Sequence, residues 1–268
     1  MRYGLDAHSL RAALPVATVA RIDLEVFESI DSTNAHLMRQ PATVPGRMAV
    51  CVARSQTAGR GRQGRDWISP DGRGIYLSVG WTFEQLRTDA PALSLAVGVS
   101  LLKGLVESGA RGLQLKWPND LVTTGGKLGG ILIEMRPAGA GACVVVGVGI
   151  NVSLPPSARS QIKALGGLEP RDLADAGLHH PDESLIGARL VDVLLDALER
   201  FSLHGFAAFR EAWLQADSLY GQSVEWMQAG ERLTGIARGI GPDGSLLVDR
   251  AGIIERLVAG DVTLRPAA

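Results

Sequence analysis

The segment from Gln56 to Gly74, QTAGRGRQGRDWISPDGRG, constrains the fold more than any other part of the chain. It follows the buried-strand pattern MAVCVARS, carries no hydrophobic period, and runs directly into a second strand-like run, IYLSVGWTF. Its core GRGRQG, Gly59 to Gly64, is spelled like the GxGxxG turn that opens a helix after a strand in dinucleotide-binding folds. The continuation RDWISPDGRG, with Trp67, Pro70 and two more glycines, cannot open that helix, so Rossmann binding is rejected and the two strands are joined by a loop. Arg54, Arg60, Arg62, Arg65 and Arg73 lie in or beside it, among glycines that let the backbone close onto a ligand. Guanidinium groups donate in a planar fork and keep their charge when water is excluded, which suits phosphate or carboxylate.

The rest of the chain alternates strands with single helices. After a helix or two in the first twenty or so residues, VFESI reads as a short strand. DSTNAHLMRQ reads as a helix carrying Leu37 and Met38, capped by Ser32 or Thr33. PALSLAVGVSLLKGLVESG, apolar at helical spacing and closed by Gly109, predicts a long core helix. LQLKWP, KLGGILIEMR and ACVVVGVGINV follow as strands separated by TTGG and RPAGAGA, turns short enough for antiparallel pairing. Strands joined partly by hairpins and partly by long helices make an α+β layer, a sheet with helices on one face. SLIGARLVDVLLDALERFSLHG and FAAFREAWLQADSLYG predict two amphipathic helices. From Gln222 onward, short strands punctuated by GPDG, DRAG and AGD predict a small β-barrel packed on the main domain, dividing the chain into 1–221 and 222–268.

Composition excludes several classes. With 27 lysines and arginines against 28 acidic residues, the net charge of −1 argues against a surface built for nucleic acid. Cys51 and Cys143 lie in apolar runs without CxxC spacing, as reduced core residues of a cytoplasmic protein do. The N-terminus lacks the apolar run of a signal peptide. The longest apolar helix, Leu93 to Val106, falls short of the ~20 residues a bilayer needs, so no membrane association is expected. The five histidines show no HxxxH spacing, and no GxSxG, Walker A loop or Cys-His pairing announces a nucleophile.

The chemistry must then come from charge and amides. KWPND places Lys116, Asn119 and Asp120 around a proline at a strand end, and GGKLGGILIE puts Lys127 just across a short turn. Both lysines can reach one end of the same hairpin, a candidate anion site, with a magnesium or proton role open for Asp120. Gly129 and Gly130 clear side chains from the strand where a ligand could lie, and GVGIN ends a glycine-thinned strand on Asn151.

Taken in order, DSTN, SQTAGRGRQGRDW, KWPND, KLGGILIE and GVGINV resemble the biotin protein ligase family over most of the chain from about Val26. The resemblance implies a catalytic domain like that of class II aminoacyl-tRNA synthetases followed by an SH3-like barrel. It implies Mg2+-assisted formation of biotinyl-5′-AMP from biotin and ATP, then transfer to a lysine of a biotin carboxyl carrier protein domain of a biotin-dependent carboxylase. It places Ser32, Thr33, Asn34 and Gln56 with Gly59, Arg60, Arg62, Lys127 and Gly129 around biotin. Around ATP it places Arg60, Arg62, Arg65, Trp67, Asn119, Asn151 and Arg265. Lys127, Arg62, Lys116 and Asp120 become the catalytic set, with Asp120 as the magnesium ligand. Many bacterial members carry an N-terminal winged helix, for which the residues before Val26 are too few, so no repressor role is expected. RSQIKALGGLEPRDLADAG lacks the tryptophan that some members place beside adenine. The oligomeric state is open between monomer and homodimer. Two other readings stand beside this one: a lipoate or octanoate transferase of the same fold, and a nucleic-acid-binding module using the arginine loop.

Overall fold

The computed structural model describes residues 5–123, 125–228, 230–258 and 265–266. Two short helices, α1 (Ala7–Ala13) and α2 (Val16–Val19), precede strand β1 (Ile22–Phe27). Ser32 accepts the Ala35 N–H and so caps α3 (Thr33–Arg39), which carries the chain across to β2 (Met48–Ala53), parallel to β1. The arginine loop leads to β3 (Gly74–Phe83), and the apolar α4 (Leu93–Glu107) crosses the sheet to β4 (Leu113–Lys116). β5 (Asp120–Thr123), β6 (Gly126–Ala138) and β7 (Gly141–Asn151) follow with turns alone between them, all antiparallel as turns that short require. After α5 (Pro156–Ala164), a two-residue β8 (Glu169–Pro170) adds to β6. The sheet order is β1-β2-β3-β7-β6-β5-β4.

Two-residue alternation sorts the sheet into two faces. Ile75, Leu77, Val79, Trp81 and Phe83 of β3, with Val144, Val146, Val148 and Ile150 of β7, enter the main core. That core is closed by α1, α4 and the long α6 (Glu183–His204), which is capped by Asp182. The stretch Ala90–Glu107 is apolar enough by length and composition to cross a membrane, and 61% of it is buried in this packing. The opposite face is not bare, as a one-sided layer would leave it: α3 lies there, packing Leu37 on Cys51 and Val145. Cys51 and Cys143 are both buried free thiols, and burial pushes the Cys51 thiol up to about 12.

The second predicted amphipathic helix is shorter than its pattern. A 3-10 turn at Phe206–Ala208 intervenes, and α7 (Arg210–Ala216) ends where Asp217 bridges β4. The tail forms a separate antiparallel sheet from β9 (Ser223–Gln228), β10 (Glu231–Ile240), β11 (Leu246–Arg250), β12 (Ile253–Leu257) and β13 (Arg265–Pro266), ordered β12-β11-β10-β9-β13. The fold is thus α+β, a mixed sheet with helices followed by a C-terminal β unit.

Candidate active site

Glycine opens the sheet face opposite the helical layer. A Cβ on Gly149 would lie 2.5 Å from the Trp67 ring, and one on Gly130 would lie 3.2 Å from both that ring and the Lys127 side chain. A Cβ on Gly147 would collide with the Asn34 amide. These positions let α3 and the arginine loop lie directly on the strands, enclosing a cavity of about 60 Å³.

The inner wall of this cavity is polar and buried. The Thr33 N–H donates to Gln56 Oε1 at 2.9 Å, and the Thr33 hydroxyl lies 3.2 Å from the same oxygen. Ser78 Oγ, fully buried, sits 2.7 Å from Thr33 Oγ1 and 2.6 Å from Asn34 Oδ1, while Asn34 Nδ2 donates to Glu134 Oε2 at 2.9 Å. Such a wall offers hydrogen bonds to a small polar ring and little room for anything larger.

The outer end of the cavity is cationic. Arg62 donates to Asn119 Oδ1 at 3.1 Å, and Asn119 is itself locked by exchanging bonds with the Ile131 backbone. Burial pushes the Arg62 pKa down and Asp120 pulls it back up. Lys127 Nζ pairs with Asp120 Oδ1 at 2.6 Å and lies 5.4 Å from the Trp67 ring centre. Beyond these groups a second cavity of about 810 Å³ runs between the KWPND turn, the arginine loop and the end of α5 with the segment after it, where Ile162, Leu165 and Leu168 contribute apolar surface. Arg62, Trp67, Asn119 and Lys127 line both cavities.

The sequence-derived candidates distribute unevenly over this geometry. Ser32, Thr33, Asn34, Gln56 and Arg60 line the smaller cavity, and Arg65, Lys116, Asp120 and Asn151 the larger. Asn151 Nδ2 ties the end of β7 to the Arg171 carbonyl. Gly59 lines neither cavity; its missing side chain lets Trp67 O and Ser69 Oγ close the loop, at 2.5 and 2.9 Å from where a Cβ would stand. Gly129 also lines neither, because the β5–β6 register shift at Leu121/Val122 turns it against Ile150 and brings Gly130 to the cavity. The Arg265 backbone pairs with Glu225, but its side chain lies outside the described residues. Ser78 and Glu134 were missed by sequence reasoning; the signal was a lone serine in the middle of a strand whose neighbouring positions, Ile75 to Trp81, are otherwise apolar, aromatic or glycine.

A resident metal has no cage here. Among the described residues no group of three His, Cys, Asp or Glu comes together. Asp120 is held by Lys127, so the carboxylate beside the lysine does not build a metal site of its own.

Residues 26–151 match the model of the biotin/lipoate A/B protein ligase family. The chain is 36% identical to the bifunctional ligase/repressor BirA of Escherichia coli, across 98% of this chain and 79% of that protein. It is 33% identical to the biotin–(acetyl-CoA-carboxylase) ligase of Mycobacterium tuberculosis, across 98% of this chain and 96% of that one. Its fold superposes with a TM-score of 0.75 on the biotin protein ligase from Aquifex aeolicus in complex with biotin and ATP, at 26% identity over 91% of this chain and 99% of that one.

Proposed function

The chain belongs to the biotin protein ligase family, and from that premise we infer how its own residues divide the work of activating biotin with ATP and transferring it to a carboxylase. The observation that carries the assignment is the meeting of two cavities at one cationic junction: a small polar pocket, a large one, and Arg62, Lys127 and Asn119 shared between them. A ring held in the small pocket projects its carboxylate to the junction, and a nucleotide in the large one brings its α-phosphate to the same place.

In the first step a biotin carboxylate oxygen attacks the α-phosphorus, the new O–P bond forms, and pyrophosphate leaves. Arg62 and Lys127 offset the repulsion between the two anions and the charge that develops in the transition state. Asn119, locked by the Ile131 backbone, aims Arg62. Trp67 separates the junction from water, resting on Gly149 with its indole N–H buried and without a hydrogen-bond partner among the described residues. Magnesium arrives on the ATP phosphates as part of the substrate, where Asp120 is the nearby carboxylate. In the second step the amine of a carrier-domain lysine attacks the acyl carbon, the C–N bond forms, the amine sheds a proton, and AMP departs with its charge still facing Lys127. Lys116, buried in the KWPND strand, adds positive potential on the nucleotide side, and Arg60 and Arg65 stand in the loop above it. We assign residues 1–221 this chemistry and 222–268 a supporting role, and place the reaction in the cytoplasm with neither nucleic acid nor membrane as partner.

Biotin-dependent exchange of labelled pyrophosphate into ATP tests this reading. Exchange is expected with biotin and Mg-ATP together; exchange with lipoate in place of biotin would assign the chain to the lipoate branch of the family.

A further inference from the structure

The polar wall of the small cavity fixes the direction of every proton around Thr33. Asn34 is oriented first: its Nδ2 donates to Glu134 Oε2 at 2.9 Å and to the Leu132 carbonyl at 3.4 Å, which leaves its Oδ1 turned to Ser78. An amide oxygen has no proton to give, so Ser78 Oγ, 2.6 Å away, spends its single proton there. Gln56 is oriented in the same manner, its Nε2 donating to Ser69 Oγ at 3.0 Å and its Oε1 accepting the Thr33 N–H at 2.9 Å. The Thr33 hydroxyl, held 2.7 Å from Ser78 Oγ, donates to Gln56 Oε1 at 3.2 Å, an oxygen that can only accept. Its one proton is consumed inside the protein, and toward the cavity it presents lone pairs alone.

We propose that Ser78, backed by Asn34 and Glu134, is a positioning residue for specificity: it holds the Thr33 hydroxyl against Gln56 Oε1 so that Thr33 meets the cavity as an acceptor, and the cavity selects a ring that brings N–H donors. This rests on the biotin-ligase reading and deepens it. A cyclic urea satisfies the wall; a dithiolane, with no donor, leaves the Thr33 oxygen facing an apolar ring. A site built to bond an N–H rejects an analogue lacking it by on the order of 10⁴-fold. Ser78 does not touch the ligand and acts through Thr33, at a β3 position whose register partner, Gly147, leaves the space that Asn34 fills.

The test is calorimetric titration of the full chain with biotin, with a cyclic-carbonate isostere carrying oxygen in place of each ureido N–H, and with ATP. Wild-type protein is expected to bind biotin and to lose the carbonate by about 10⁴-fold. Ser78→Ala is expected to weaken biotin about tenfold, leave the carbonate and ATP unchanged, and so shrink the biotin-to-carbonate ratio about tenfold. Equal affinity of wild type for biotin and carbonate overturns the proposal whether or not the variant folds. A variant that loses both ligands by one factor, or neither, overturns the role of Ser78. Wild type that binds no biotin contradicts the functional reading itself.

Discussion

The indole N–H of Trp117 donates to the backbone carbonyl of Gly244 at 2.9 Å, so the KWPND turn and the C-terminal sheet share a buried hydrogen bond. The receiving turn is itself held rigid: Ser245 Oγ donates to Asp243 Oδ1 at 2.7 Å, and Arg256 pairs with Asp243 Oδ2 at 2.6 Å. On the other flank, Ser94 Oγ donates to the Pro118 carbonyl at 3.2 Å. The turn that presents Lys116, Asn119 and Asp120 is thereby pinned by α4 on one side and the C-terminal sheet on the other.

Trp117→Phe keeps the ring in its pocket and removes the donor, leaving the buried Gly244 carbonyl unpaired. Urea unfolding should show a loss of about 1–3 kcal/mol. The KM for ATP should rise while that for biotin stays near wild type, because Trp117 borders the larger cavity alone.

Lys127→Ala removes the cation that lines both cavities and faces Asp120. Pyrophosphate exchange should fall ~10²–10³-fold, the usual cost of one preorganised donor. Lys127→Arg keeps the charge and should recover part of the rate. Normal exchange in the alanine variant would remove Lys127 from the mechanism.

Arg62→Gly should leave the melting temperature near wild type yet raise the off-rate of the adenylate on the order of tenfold or more, since a charge-assisted contact contributes ~1.5–3 kcal/mol. Escaping adenylate would acylate bystander lysines. Stopped-flow release and mass spectrometry of added bystander protein read the two effects.

Gly149→Ala drives a methyl group into the Trp67 ring, 2.5 Å away. Overpacking of this kind costs about 1–3 kcal/mol and displaces the ring. Because Trp67 lines both cavities, titration should show biotin and ATP weakened together.

Asp31 adjoins the small-cavity wall. Hydrogen bonds from Arg39 and from the Ser32 N–H hold its carboxyl at about 2. A depressed carboxylate stabilises the fold above its unfolded pKa of ~4, and that contribution is lost as pH falls through about 2. Asp31→Asn should therefore be less stable at neutral pH and show a shallower loss of stability between about pH 4 and 2 in acid titrations followed by circular dichroism.

What the sequence made legible was whatever local spacing controls. The arginine loop, the KWPND turn, Lys127 and the glycine-thinned strands each reveal their chemistry within a few residues. Ser78 and Glu134 were hidden because a single letter on a strand gains meaning only through register, and Ser78 meets Asn34 only because Gly147 stands opposite it. Gly129 and Gly130 could not be told apart by counting, since the shift at Leu121/Val122 turns both Leu128 and Ile131 to the main core and breaks the alternation. The helix pattern after Gly205 overran because Asp217 is drawn into a bridge with Leu115, a tertiary contact that no periodicity reports.

Transfer of biotin to a carrier domain decides whether the protein works as a biotin protein ligase. Intact-mass spectrometry of a biotin carboxyl carrier domain incubated with the protein, biotin and Mg-ATP should show one added biotinyl group on one lysine, with no gain when ATP or biotin is left out. A carrier domain of unchanged mass in the complete mixture would contradict that function.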